Sequence, residues 1–95
     1  VPRPKKKRCI DCKPCVSALK PERTDGKSAE DFICIELDEL EALRLADYLG
    51  YYQEQAAAKM GVSRVTFGRI LKSARGKIAR AIFEGREIRL EKVKE

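Results

Sequence analysis

The sequence predicts a mainly α fold. Three helices are expected, the last two joined as a helix-turn-helix, with a basic disordered arm before them and a short two-stranded β pairing beside them. Three observations carry this expectation. Residues 53–83 read as a short helix, a three-residue turn and a long basic helix, the layout of a helix-turn-helix. Residues 38–49 repeat apolar side chains at helical spacing between an acidic start and Gly50. The first eight residues, VPRPKKKR, hold two prolines and five positive charges with no apolar periodicity.

The 95 residues are enough for one small domain with a modest core. They divide into a basic and cysteine-containing segment (1–36), a helical unit (37–85) and a short strand or tail (86–95). Net charge is +6 and the isoelectric point about 9.3, which favours polyanionic partners. The charge is uneven: residues 30–47 carry seven acids against one base, Arg44. Basic ends and an acidic shoulder are therefore expected. The chain has no histidine, which excludes histidine general-base catalysis, Ser-His-Asp and Cys-His pairs, and zinc sites with a histidine ligand. Phosphate loops and paired catalytic carboxylates are missing too, so no enzyme is expected. No apolar run approaches the roughly 20 residues of a membrane span, and no signal-peptide pattern is present. The expectation is a cytoplasmic, nucleoid-associated protein.

Taken in order, the arm with Arg3, Lys5, Lys6 and Lys7 suits phosphates or the minor groove of DNA. A solubilising tail and a nuclear-import signal are the alternatives. CIDCKPC follows, placing Cys9, Cys12 and Cys15 at two-residue spacing, with Cys34 further on. Four thiolates suit tetrahedral zinc. The double C-x-x-C step also resembles an iron–sulfur motif, although Leu19 stands where its fourth cysteine would be. Free or redox-active thiols are the third reading. Lys13 and the basic arm are expected to lower the thiol pKa values, and Cys34 also reads as a small buried apolar residue.

Residues 16–29 read as loop, with turns at Pro21 and Asp25-Gly26. Phe32 to Leu37 and Arg86 to Leu90 alternate as strands, with Ile33 and Ile35 on one side and Ile88 and Leu90 in the same alternation, pairing within one chain or across a dimer. Asp38 and Glu41 are expected to form a capping box opening the first helix, with Leu40, Leu43, Ala46 and Leu49 as its core stripe. Tyr48, Tyr51 and Tyr52 wedge the next helix against it or stack on bases. In the helix-turn-helix, Ala56, Ala57, Met60, Val62, Phe67 and Ile70 fill the inward positions. Gly61 supplies the turn and Ser63 the cap.

The long helix divides its faces. Phe67, Ile70, Leu71, Ala74, Ile78 and Ala81 share one arc at about 100° per residue, and Arg64, Val65, Gly68, Arg69, Lys72, Arg75 and Gly76 share another. From Gly61 to Phe83 there are six basic residues and no acidic one. Gly68 and Gly76 cost helix propensity on the basic face. Each either removes bulk where a partner approaches or is merely tolerated. Gly85 ends the helix, and residues 91–95 read as a frayed tail.

The opening PRP with its basic residues, LDELEALRLAD at 37–47 and QEQAAAKMGVSRVTFGRILKSARGKIA at 53–79 resemble uncharacterised protein family 0251, or domain of unknown function 134. The resemblance is firm over residues 37–84 and looser before them. It implies a small prokaryotic DNA-binding protein whose helix-turn-helix is similar to region four of sigma-70 factors. It also implies DNA contacts at Ser63, Arg64, Val65, Thr66, Arg69 and Lys72. Two departures stand out: Tyr52 replaces a capping serine before the QE pair, and the cysteine cluster is richer than the family pattern. By its own chemistry Arg75 joins the phosphate-holding set. The expected function is sequence-specific binding of double-stranded DNA by a transcriptional regulator, as a homodimer or beside RNA polymerase or another DNA-bound protein. The alternatives are a metal-thiolate or redox switch, with zinc or an iron–sulfur cluster, and a sigma-like adaptor that does not read DNA.

Overall fold

Residues 9–28 and 31–92 are described by a computed structural model; the basic arm, with Arg3, Lys5, Lys6 and Lys7, lies outside the described residues. Along the chain come β1 (Ala18–Leu19), β2 (Phe32–Ile35), α1 (Leu37–Leu43), a π-helical stretch (Arg44–Tyr48), α2 (Gln53–Met60), α3 (Arg64–Glu84) and β3 (Glu87–Leu90). Roughly half of the described residues are helical.

The long helix α3 is the spine. Its apolar arc is buried as the 3.6-residue period requires: Phe67, Ile70, Leu71, Ala74 and Ala81 are sealed and Ile78 half-buried. Its N-terminal half packs on Ala42, Leu45, Ala56, Ala57 and Met60, with Leu43, Ala46 and Val62 closing the rim. Its C-terminal half meets the sheet through Ala81 and Ile78, against Ile33, Ile35 and Ile88. Gly85 ends the helix in the left-handed region, at φ 66°, where a side chain would be strained.

The sheet has three strands in the order β1-β3-β2. β3 runs parallel to β2, with Ile33 opposite Ile88, and antiparallel to β1, with Leu19 opposite Ile88. The two expected strands thus pair within one chain. The short β1, in a segment read as loop, completes the sheet. Its two residues are too few to show an alternation, and only the presence of β3 defines it. Turn geometry does appear at Asp25-Gly26, where Asp25 accepts from the Lys27 N–H at 3.0 Å. Glu91 is tied down: its N–H donates to the Ile35 carbonyl and its carboxylate accepts from the Leu37 N–H. The frayed tail therefore does not begin at 91, and residues 93–95 are outside the described set.

α1 departs most from expectation. Its cap is Glu36, not Asp38: Glu39 Oε1 accepts from the Glu36 N–H at 2.9 Å. Glutamate is a poor N-cap by composition, so Asp38 outscored it. The wide π turn carries Leu45 into the core and leaves Leu49 exposed, so the stripe is Ala42 and Leu45, with Leu40, Leu43 and Ala46 half-buried. Tyr48 and Tyr52 are almost fully exposed and do not wedge the helices; Tyr51 alone sits at the junction, its N–H donating to the Leu45 carbonyl and its ring beneath Lys59 Nζ of α2.

Candidate nucleic-acid interface

The turn between α2 and α3 is built from local chemistry. Gly61 takes φ 69° and its N–H returns to α2, satisfying the helix's last carbonyls. The Val62 N–H reaches the Ala57 carbonyl at 3.0 Å. Ser63 Oγ accepts from the Thr66 N–H at 3.1 Å and donates to Thr66 Oγ1 at 2.9 Å, capping α3. α2 forms despite Tyr52, because Gln55 Oε1 accepts the Tyr52 N–H at 3.3 Å and supplies part of the missing cap.

From this turn α3 presents Arg64, Val65, Arg69 and Lys72 to solvent, with Thr66 half-buried at their edge. The six basic residues of α3 separate into two sets. Arg64, Arg69 and Lys72 make no ion pair with another described residue, whereas Arg75, Lys77 and Arg80 do. Arg75 grips Asp47 with two hydrogen bonds, Nη2 at 2.6 Å and Nε at 3.1 Å. Those bonds hold the Asp47 carboxyl below its ordinary range. Lys77 reaches Glu39 at 2.6 Å and the Cys34 carbonyl at 2.9 Å. Arg80 and Glu84 form a looser pair at 3.6 Å. Gly76 faces open space, and a side-chain carbon at Gly68 would meet Gln53 Oε1 at 3.6 Å. Gly68 thus sits where the start of α2 passes α3.

The acidic shoulder is largely consumed inside the molecule. Glu39 is 4% exposed and accepts from Lys77, from Ser73 at 2.5 Å and from the Glu36 N–H. Burial pushes its carboxyl up, yet these hydrogen bonds outweigh burial and hold it below the ordinary glutamate value. Glu41, 2% exposed, binds Arg44 at 2.6 Å and accepts the Asp11 N–H. Asp31 pairs with Arg86 at 3.1 Å. Asp47 and Glu39 were missed as partners of the basic helix, since a charge pair 28 or 38 positions apart leaves no local pattern.

The cysteines are dispersed. The Cys9 N–H donates to the Met60 carbonyl at 3.1 Å, placing this residue at the α2–α3 turn. Cys12 is sealed against Glu41 and Arg44, Cys15 is exposed on the rim of a cleft with Leu40, Leu43, Tyr48 and Ile78, and Cys34 is on the exposed face of β2. The only close grouping of three ligating side chains among the described residues is Glu36, Asp38 and Glu39. Glu39 there is committed to Lys77 and Ser73. The four thiols therefore do not form a four-sulfur set in this fold. Burial first, and Glu41 second, push the Cys12 thiol up, opposite to the expected lowering. Cys34 is not a buried apolar residue, because strand alternation gives the interior to Ile33 and Ile35.

No helix among the described residues is long and apolar enough to cross a membrane. A family model described as a protein of unknown function, DUF134, matches residues 1–93. A UPF0251 protein of Vibrio vulnificus (strain YJ016) is 52% identical over 92 residues, 95% of this chain and 89% of that protein. One from Syntrophobacter fumaroxidans is 52% identical over 85 residues, 90% of this chain and 54% of that protein. One from Methanothermobacter thermautotrophicus is 48% identical over 88 residues, 93% and 45% respectively. The chain spans most of the Vibrio relative but only about half the length of the other two. No solved structure matches it. A match over residues 1–93, together with relatives of about half identity, makes this chain a member of the DUF134, or UPF0251, family.

Proposed function

We propose that the protein binds double-stranded DNA sequence-specifically, α2 and α3 acting as a helix-turn-helix similar to sigma-70 region four and α3 entering the major groove. One observation carries the reading. The three cations nearest the Ser63-capped start of α3 are exposed and unpaired among the described residues, while those further along are tied to carboxylates. A cation held in a surface pair is partly neutralised before any ligand arrives; Arg64, Arg69 and Lys72 are not. Arg64 and Arg69 are the base-reading residues, since arginine spans guanine O6 and N7 with two hydrogen bonds. Val65 meets a thymine methyl. Ser63, Thr66 and Lys72 hold phosphates and set register.

The basic arm supports the same end of the molecule. The bond from the Cys9 N–H to the Met60 carbonyl places Cys9, the residue that follows the basic arm in sequence, beside the α2–α3 turn. Arg3, Lys5, Lys6 and Lys7 lie within six positions of Cys9 in sequence, and in this reading they follow the phosphate backbone next to the groove. One such helix reads only a few base pairs, so the protein acts as a homodimer on a two-fold site or beside RNA polymerase or another DNA-bound protein, as a transcriptional regulator.

A second reading, a sigma-like adaptor that touches protein without reading DNA, is favoured by Ile82 and Phe83. They are 68% and 88% exposed near the far end of α3. Selection from random duplexes at roughly 150 mM salt with non-specific competitor separates the two. Enrichment of one short motif is expected, and an inverted repeat within it signals a dimer. No enrichment by folded protein would overturn the DNA-reading assignment in favour of the adaptor.

A further inference from the structure

We infer that Asp47 is a specificity-determining residue that withholds Arg75 from phosphate and so suppresses binding to generic duplex; the inference rests on the DNA-binding reading above. At 100° per residue Arg75 falls within about 20° of Arg64 around α3, on the face that carries Lys72. Its position therefore suits a phosphate contact, but its hydrogen-bonding edge is occupied. Asp47 accepts from both Nε and Nη2, the two-donor fork with which an arginine would grip a phosphate.

The carboxylate arrives there because of the backbone. The π stretch Arg44–Tyr48 turns Leu45 into the core, and Asp47, two positions on, stands exposed beside α3. It does two things at once. It neutralises Arg75, and it places a negative charge beside the path of the DNA backbone, where a phosphate meets repulsion. Base contacts by Arg64 and Arg69 need neither group. Asp47 therefore weakens generic duplex more than a matched site, which raises the ratio between them.

The test compares the parent with Asp47→Asn, Arg75→Gln and the double variant, by titrating binding to a generic duplex from 50 to 200 mM salt. Freeing one arginine for phosphate makes the slope of log affinity against log salt steeper by about 0.9, so the fourfold rise in salt costs Asp47→Asn about 3.5-fold more affinity than the parent. Its affinity for generic duplex at the low-salt end is expected to rise, and the double variant to return to the parent slope. Thermal melts confirm that the variants are folded, and Asp47→Ser repeats the effect in a second side chain.

A parent-like slope in folded Asp47→Asn would overturn the inference. So would a flatter slope in Arg75→Gln alone, because Arg75 would then already touch phosphate in the parent. The two ideas fail separately. A steeper Asp47→Asn slope without any motif enriched from random duplexes removes sequence reading, and with it the specificity role, and leaves only the withholding of Arg75 from phosphate. An enriched motif with unchanged slopes does the reverse. Absence of duplex binding in parent and variants alike overturns both.

Discussion

Replacing Lys77 with methionine probes one of the two buried carboxylates among the described residues, Glu39. Glu39 is 4% exposed, and Lys77 Nζ is 2.6 Å from its carboxylate. Removing one partner of a buried pair costs about 3–5 kcal/mol because the other charge is left uncompensated. Two features reduce that figure here. The Lys77 side chain is 26% exposed, and Ser73 and the Glu36 N–H continue to donate to Glu39. A loss of about 2–3 kcal/mol is expected, which for a domain of this size is roughly 10–20 °C in the thermal midpoint.

The pH dependence of that loss is specific. In the parent, the Glu39 carboxyl lies below its ordinary value, so its contribution is present at neutral pH and is lost as pH falls through that lowered value. Burial pushes the Lys77 ammonium down, but the hydrogen bond to Glu39 outweighs it and raises the pKa, so its contribution is lost only as pH rises through an alkaline range. A comparison of pH 7 with about pH 4 therefore reports on Glu39. In Lys77→Met, burial dominates at Glu39 and protonation relieves the unpaired charge, so the deficit against the parent shrinks at the lower pH. Glu39→Gln combined with Lys77→Met recovers more than half of the neutral-pH loss. Urea or thermal denaturation of the parent, Lys77→Met and the double variant reads these differences. A midpoint within about 2 °C of the parent at pH 7, or an equal deficit at both pH values, refutes the reasoning.

On the DNA-binding reading, Arg69→Ala costs about 1–3 kcal/mol on the selected motif and relaxes base preference, whereas Lys72→Ala weakens all duplexes alike and flattens the salt slope by about 0.9. Equal losses on every sequence for Arg69→Ala would remove its base-reading role. Ser63→Ala removes the α3 cap and lowers stability by about 1 kcal/mol in chemical denaturation. Gly61→Ala strains a φ of 69° at a cost of roughly 1–2 kcal/mol, although its new carbon meets nothing closer than Cys9 Sγ at 3.9 Å. In timed alkylation read by mass spectrometry, Cys9, Cys15 and Cys34 label in the folded protein while Cys12 is protected, because it is buried and its thiol is pushed up. Rapid labelling of Cys12 in native buffer would show that the 9–12 segment is not seated on α1.

Local chemistry made much of this protein legible before its structure. α2, the three-residue turn and α3 follow from Gly61, Ser63, Gly85 and an apolar period that needs no distant partner, and their inward residues are the buried ones, with Val62 and Ile78 half-buried. The alternation in residues 32–35 and 87–90 likewise marked both strands. What the sequence left undecided depends on contacts between distant residues. The two residues of β1 become a strand only against β3, and the π turn that buries Leu45 and exposes Leu49 is set by packing against α2 and α3. The same holds for charge. Composition counts cations along α3, but only the folded chain brings Asp47 to Arg75 and Glu39 to Lys77, leaving Arg64, Arg69 and Lys72 as the unpaired set among the described residues. A local pattern reports which face a residue occupies; its electrostatic partner is chosen by elements that meet in space.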